Sequence, residues 1–230
     1  RIDIGRPEQP APVIHRDPHR RTRDRIFVER IGEVQHREGP GRTAPHPETL
    51  RIDAVGRRIV RSPAKRPRRI LDLGCGVGHN TVPLARAFPD AQVVAVDLAA
   101  PMLRYGHARA VGMGIDNIQF QQANAEGLPF EAQSFDFIYS TMFLHETSHA
   151  ALRNILGEAS RLLAEGGIQI HLEQPPYRGM TLFEQFMRDW DCHYNNEPFW
   201  SALHETHLPS LLRERGFAAE SIFETEIHAL

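Results

Sequence analysis

Cross-linking and membrane-spanning features are scarce in this sequence. Its 230 residues include two cysteines, Cys75 and Cys192, which excludes a disulfide-stapled miniprotein. No apolar run is long enough for a membrane-spanning helix, and no apolar signal segment stands at the beginning. These absences predict a cytoplasmic protein. A hydrophobic content of 41% predicts a globular domain with a full core.

Charge and proline are divided unevenly along the chain. Residues 1–69 hold 18 basic and 9 acidic residues, a net charge of +9, and 9 of the 17 prolines. The remaining residues hold 9 basic and 20 acidic residues, a net charge of −11. We predict a basic leader over 1–47, either extended or packed on the domain or a partner, and a folded domain over 48–230. Nucleic-acid binding is disfavoured because no zinc, helix-turn-helix or RNA-binding signature accompanies the basic residues.

From residue 70 onward, strand-like and helix-like segments alternate. Short apolar runs predict strands over 70–73, 92–98, 118–122, 135–141 and 168–173. Apolar periodicity and helix-terminating residues predict helices over 80–88, 101–111, 149–164 and 208–215. This order predicts an α/β fold with a doubly wound, mainly parallel sheet and helices on both faces.

The two ends of the domain are less regular. Helical spacing predicts a further helix over 48–61, and a final strand is predicted over 219–227. Three residues follow that strand, so the sequence leaves open whether a seventh strand is missing or whether the leader or another subunit covers the edge. An uncovered edge would favour a homodimer.

A glycine-rich turn follows the first predicted strand. Asp72 precedes Gly74, Gly76 and Gly78, and glycines let a ligand lie against the main chain. In a doubly wound sheet this turn lies at the carboxyl end of a strand, where ligands bind. Asp72 would repel a phosphate but suits a cationic amino group. The dinucleotide fingerprint needs another glycine at His79, which makes a nicotinamide-dependent oxidoreductase the less favoured alternative.

A second acidic residue follows the turn at an informative distance. Asp97 ends the second predicted strand, 19 residues after Gly78. A carboxylate at that point can accept hydrogen bonds from both hydroxyls of a ribose.

Five ordered motifs resemble class I S-adenosylmethionine-dependent methyltransferases. They are Asp72-x-Gly74-x-Gly76-x-Gly78, Asp97 with Met102-Leu103, and the segments 124–130, 135–138 and 158–167. The resemblance covers about residues 68–176 and is nearest to the small-molecule subgroup that includes quinone- and sterol-type enzymes. It implies the Rossmann-like methyltransferase fold, S-adenosyl-L-methionine as cofactor and a small-molecule methyl acceptor.

The resemblance also assigns residues to the cofactor. The glycine turn would lie under its methionine part, Asp72 would orient the amino group, and Asp97 would hold the ribose. Asn124 stands where the family commonly has aspartate, and an amide can still hydrogen-bond to the adenine edge. The full set implied is Asp72, Gly74, Gly76, Gly78, Asp97, Leu98, Met102, Asn124, Ala125 and Ser140.

Candidate bases cluster in the segment 141–146 after the fourth predicted strand, and at His171 and Glu173 near the end of the fifth. Candidate substrate residues follow the fifth strand. His145 is the first candidate for a general base, and its alternative role is to brace the following helix. Residues 177–206, which we call the lid segment, are rich in aromatic residues and are predicted to wall a pocket for an apolar or aromatic acceptor, or else to pack on the sheet as a cap. The predicted substrate contacts are Tyr177, Phe186, Trp190, Tyr194 and Trp200.

Two other functions remain as alternatives at this stage. A catalytically silent cofactor-binding subunit is suggested by the short end of the domain and the absence of a decisive base. Nucleic-acid methylation is suggested by the basic leader alone. No metal is predicted, because the run Asp189-Trp190-Asp191-Cys192-His193 has no second cluster of ligands.

Overall fold

The chain folds around one parallel β-sheet. A computed structural model describes residues 25–31 and 66–227, so the helix predicted over 48–61 and most of the leader lie outside the described residues. The strands are β1 Arg25–Ile31, β2 Arg69–Leu73, β3 Gln92–Asp97, β4 Ile118–Gln122, β5 Phe135–Thr141, β6 Leu163–Glu173 and β7 Ile222–Ile227. Their order in the sheet is β4-β3-β2-β5-β6-β1-β7, and each pairing is parallel.

Helices cover both faces of this sheet. They are α1 Thr81–Ala87, α2 Ala100–Gly112, α3 His149–Leu162, α4 Leu182–Tyr194, α5 Trp200–Glu205 and α6 Leu208–Glu214. Alternate residues of each strand enter separate apolar clusters: Leu71 and Val94 pack with α3 and α6, whereas Ile70 and Val93 pack with α1. This alternation is that of a sheet buried on both faces, and it confirms the predicted doubly wound α/β fold.

Strand β1 lies within the predicted leader, to which the sequence analysis assigned no strand. It lies between β6 and β7, with Arg25 opposite Ile168 and Ile26 opposite Ile222. The final strand therefore pairs with the N-terminal segment and not with β6. The place in the sheet that the sequence left open is taken by a strand of the same chain.

The boundaries of the other elements differ little from the predictions. Helix α3 ends at Leu162, and the chain enters β6 at Leu163, earlier than predicted. The extra residues pair with the start of β5 through an irregular step between Phe135 and Phe137. In the part of the chain that the structure describes, no helix has the length and apolar character to cross a membrane.

Candidate functional site

The glycine turn connects β2 to α1 and is fastened to the neighbouring strand. The backbone N–H groups of Gly74 and Cys75 donate hydrogen bonds to the Val96 carbonyl oxygen at 2.9 and 3.0 Å. Gly74 and Gly78 have φ values of +67° and +70°, in the left-handed region that favours glycine. A Cβ atom at Gly74 would lie 2.2 Å from Cδ2 of Phe143, so this position has no room for a side chain.

We expect Gly74→Ala to destabilise the protein by about 2–4 kcal/mol, because the new methyl group combines a positive φ with a clash against Phe143. Urea denaturation measures this loss. The matched control is Gly112→Ala, since a Cβ atom there meets nothing within 4 Å. Equal stability of the two variants would contradict the close approach of Phe143 to the turn.

Asp97 joins the turn to the end of β3. Its Oδ2 accepts a hydrogen bond from the Gly76 N–H at 2.8 Å, and its Oδ1 accepts one from the Ala99 N–H at 2.8 Å. A carboxylate has about four lone-pair sites, so each oxygen can accept one more hydrogen bond. Asp97 is thus held by backbone donors and can still receive a ligand's hydroxyl groups.

A cleft opens at the carboxyl ends of β2, β3 and β5, with a volume of about 810 Å³. That volume lies in the range of small-molecule and cofactor sites. Seven of the ten predicted cofactor residues line it: Gly74, Gly76, Asp97, Leu98, Met102, Asn124 and Ala125. The turn and the acid that the sequence singled out therefore share one cleft.

The other three predicted cofactor residues lie outside the cleft lining. Gly78 packs against Phe120, and a Cβ atom there would lie 2.9 Å from the Phe120 ring. Ser140 is buried, and its hydroxyl lies 2.8 Å from Nδ1 of His171. These two positions shape the turn and the core, whereas their predicted contact with a ligand stays a prediction.

Asp72 is the third predicted cofactor residue that does not line the cleft, and its environment is unusual for a carboxylate. It is 2% exposed, and its Oδ2 accepts a hydrogen bond from the Thr81 hydroxyl at 2.6 Å. Burial raises the pKa of Asp72 to about 7, the Thr81 hydrogen bond opposes that rise, and the nearby charge of Asp97 adds to it. Near neutral pH this side chain is therefore poised between its charged and neutral forms.

His145 has the contacts of a bracing residue. It is buried, its Nδ1 lies 2.8 Å from Oε2 of Glu173, and its ring stacks on Trp200 with centroids 5.0 Å apart. The other Glu173 oxygen, Oε1, accepts hydrogen bonds from the N–H groups of Phe143 and Leu144 at 2.9 and 2.7 Å. Burial lowers the pKa of His145, but the hydrogen bond and charge of Glu173 outweigh burial, and the net shift is upward.

Phe143 and Glu146 are among the residues of the candidate segment 141–146 that line the cleft, whereas His145, the first choice within that segment, does not line it. Phe143 covers Gly74, and Glu146 is exposed in the cleft. The pKa of Glu146 is raised because its carboxyl group is partly shielded from water in the cleft; His145 opposes this rise, and neighbouring carboxylates add to it. Their position directly after a strand that ends at the ligand side of the sheet is the signal that made the segment a candidate.

The lid segment contacts the cleft through a different aromatic residue from those predicted. Phe199 lines the cleft, while none of Tyr177, Phe186, Trp190, Tyr194 and Trp200 is among the lining residues. Phe186, Trp190 and Tyr194 form one row on α4 and are 55%, 48% and 65% exposed. Cys192 is the buried residue of α4, so the helix packs through another face and turns this row outward. Their predicted role as acceptor contacts stays a prediction.

The chain matches known methyltransferases over the part that builds the cleft. Residues 70–167 match the family model described as a methyltransferase domain. The chain is 38% identical over 112 residues to a demethylmenaquinone methyltransferase of Thermus thermophilus, covering 49% of this chain and 50% of that protein. It is 37% identical over 109 residues to the ubiquinone/menaquinone biosynthesis C-methyltransferase UbiE of Pseudomonas savastanoi, and the alignment covers 46% of this chain and 41% of that protein.

The alignment is longer with a relative described as an uncharacterized methyltransferase. The chain is 32% identical over 152 residues to the uncharacterized methyltransferase sll0829 of Synechocystis, covering 65% of this chain and 66% of that protein. Across these three relatives the chain spans between 41% and 66% of their length.

Solved structures share the fold. The YcgJ protein of Bacillus subtilis is 22% identical with a TM-score of 0.52, covering 76% of this chain and 80% of that one. A geranyl diphosphate methyltransferase in complex with S-adenosylmethionine is 21% identical with a TM-score of 0.53, and the match covers 64% of this chain and 57% of that one.

Proposed function

We propose that this chain is a class I S-adenosylmethionine-dependent methyltransferase that transfers a methyl group from S-adenosylmethionine to a small apolar or aromatic acceptor. The match of residues 70–167 to a methyltransferase-domain model supports this proposal. The observation that carries this proposal is the meeting of the glycine turn and Asp97 in one cleft. Two relatives bear names of quinone methyltransferases, which supports an acceptor built on a ring.

Different residues of the cleft bind different parts of the cofactor. Asp97 accepts the ribose hydroxyls, Leu98 and Met102 flank the adenine, and Asn124 with Ala125 meets its edge. The main chain of Gly74 and Gly76 supports the methionine part. S-adenosylmethionine supplies a methyl group activated by a sulfonium, so the protein's task is alignment and exclusion of water.

Apolar and acidic side chains of the cleft can exclude water and remove a proton from the acceptor. Phe143 and Phe199 exclude water from the reacting centre. Where the acceptor must lose a proton, Glu146 lies in the cleft, and its raised pKa makes it a stronger base than an ordinary glutamate. His145, the base proposed from the sequence, would act through the loop that it braces. A cytoplasmic location and a homodimer are further proposals.

Binding of S-adenosylhomocysteine to the full chain tests the function. We expect calorimetry to show one equivalent bound, and NADH fluorescence to show no binding of the nicotinamide cofactor. A folded sample that binds no S-adenosylhomocysteine would overturn the proposal. The silent-subunit alternative is tested by transfer of labelled methyl groups to a panel of hydroquinones and phenols, because a silent subunit binds the cofactor and methylates none of them.

Asp72 predicts the pH dependence of that binding. Because the pKa of Asp72 is about 7, a cationic amino group nearby favours the ionised form of this side chain. Affinity for S-adenosylhomocysteine should therefore increase several-fold as the pH rises from about 5.5 to 7.5, with uptake of the ligand releasing a proton. Calorimetry in two buffers of different ionisation enthalpy measures the released proton.

Asp72→Asn is the matched variant for this titration, since its amide oxygen can still accept the Thr81 hydrogen bond. The variant should lose the pH dependence over that range. It should also gain stability relative to the wild type at alkaline pH, because a pKa raised by folding makes ionisation of Asp72 unfavourable in the folded protein as the pH rises through about 7. An unchanged pH profile in the variant would remove Asp72 from the proposal.

A further inference from the structure

One side of the cleft is left free by the proposed cofactor contacts. It is built by the end of β5 and the loop after it, by α3 and by the residue that precedes α5. We call the lining residues of the range 141–155, together with Phe199, the acceptor wall. Phe143, Ala151, Ile155 and Phe199 give this wall an apolar surface that suits the ring of an acceptor.

The hydroxyl groups of the acceptor wall are used by the protein itself. The hydroxyl of Thr141 donates to that of Tyr139, and the hydroxyl of Thr147 donates to the carbonyl oxygen of Leu144 at 2.7 Å. The hydroxyl oxygen of Ser148 accepts a hydrogen bond from a backbone N–H at the start of α3 at 3.3 Å. Each of these hydroxyl groups therefore already has a partner within the protein.

Glu146 differs from these polar side chains of the acceptor wall. It is exposed and lines the cleft, and its carboxylate has no hydrogen-bond or ion-pair partner among the described residues. Its charge interacts with that of Asp97, which lines the same cleft from the end of β3. An ionised carboxylate only accepts hydrogen bonds, so Glu146 offers a ligand an acceptor and a negative charge.

The rest of the lining does not balance this charge. Asp97 and Glu126 are further carboxylates of the cleft, and no lysine or arginine occurs among the described residues that line it. Glu197 lies near enough to Glu146 for their charges to interact. His79, directly after the glycine turn, is the one described lining residue whose side chain can become positively charged. The sulfonium of bound S-adenosylmethionine offsets one negative charge and leaves the field of the cleft negative.

We propose that the methyl acceptor enters the cleft without a negative charge, as a hydroxyl or ammonium group on an apolar ring, and that Glu146 determines this selectivity. The inference rests on the proposed function, because it concerns the acceptor of the same site. Glu146 accepts a hydrogen bond from the polar group, while Phe143 and Phe199 contact the ring. A carboxylate or phosphate on the acceptor would lose its hydration and meet carboxylates with no cation to offset them.

Benzylamine, benzyl alcohol and benzoate are matched probes of this selectivity, because they share a ring and differ in the charge of one group. They are titrated by saturation-transfer NMR, at about pH 8, into the full chain saturated with S-adenosylhomocysteine. This ligand has no sulfonium charge, so the probes report the field of the side chains. We expect benzylamine to bind at least about tenfold more tightly than benzoate, with benzyl alcohol between them.

Two substitutions at Glu146 assign the selectivity to this residue. Glu146→Gln removes the charge and should reduce the difference between benzylamine and benzoate to a few-fold. Glu146→Lys should reverse the order, so that benzoate binds more tightly than benzylamine. Glu131→Lys is the matched control, because it changes the net charge equally at an exposed glutamate outside the cleft lining, and it should keep the order of the wild type.

Three outcomes would overturn the inference in a chain that binds S-adenosylhomocysteine. They are binding of none of the probes, benzoate binding as tightly as benzylamine, and an order of probes that survives unchanged in both Glu146 variants. If one variant does not fold, the other variant and the order of the probes on the wild type still decide. A folded chain that binds no S-adenosylhomocysteine would instead overturn the proposed function, so the two failures are distinguishable.

Discussion

Replacing Asp97 with alanine should weaken the binding of S-adenosylhomocysteine by at least about a hundredfold. The proposed ribose contact gives this carboxylate two hydrogen bonds from hydroxyl groups, which the variant would lose, and each hydrogen bond to a charged group contributes about 1.5–3 kcal/mol. Calorimetry on the full chain measures the change. Asp116→Ala is the matched control, because Asp116 is an exposed aspartate outside the cleft lining, and its affinity should equal that of the wild type.

The same carboxylate also holds the backbone at Gly76 and Ala99, so a second measurement must separate the two roles. Adenosine and 2′,3′-dideoxyadenosine differ in the ribose hydroxyls alone. The wild type should strongly prefer adenosine, and Asp97→Ala should bind both equally, because the coupling between the hydroxyls and the carboxylate is gone. A preference that persists in the variant would assign the loss of affinity to the turn and refute the ribose contact.

Replacing Glu173 with alanine should produce the largest loss of stability. The change leaves the N–H groups of Phe143 and Leu144 and the ring of His145 without their acceptor inside the protein. Removing one partner of a buried charged pair costs about 3–5 kcal/mol, and we expect a decrease of that size in the free energy of unfolding. Urea denaturation measures it.

Two comparisons sharpen the Glu173 experiment. Glu173→Gln retains an oxygen that can accept from the two N–H groups, so it should recover much of the lost stability. Its NH₂ group can donate to Nδ1 of His145 when the histidine is the tautomer protonated on Nε2. Glu131→Ala, at an exposed glutamate, should change stability by less than about 0.5 kcal/mol. A stable Glu173→Ala variant would show that the loop over the turn is held by its apolar contacts.

The sequence was sufficient to predict the centre of the sheet and most of the cleft. Strands β2 to β6 are apolar runs bounded by turn residues, and their parallel order makes their carboxyl ends meet. Residues at those ends or just after them, such as Asp97 and Gly74, can therefore be predicted to lie together without any knowledge of side-chain packing. The predictions succeeded where the hydrophobic periodicity and the turn residues that bound an element could be read from neighbouring residues in the chain.

The parts of the structure that the sequence analysis did not predict depend on distant or unusual backbone geometry. Met142 has a φ of +51° and donates its N–H to Leu172, which turns Phe143 and Glu146 toward the cleft. No glycine marks that turn in the sequence. Strand β1 was missed because its partners lie far along the chain and its surroundings are rich in proline and charge.

The position of β1 has a consequence for how the molecule is assembled. Among the described strands β1 comes first along the chain, and its two neighbours, β6 and β7, come last, so β1 stays unpaired during synthesis until those strands have been made. Until β1 inserts, the edge of β6 with which it pairs in the folded sheet is open. Closure of this N- and C-terminal seam should be the slow, aggregation-sensitive step of folding, because pairing between distant segments requires a large loss of chain entropy before it is rewarded.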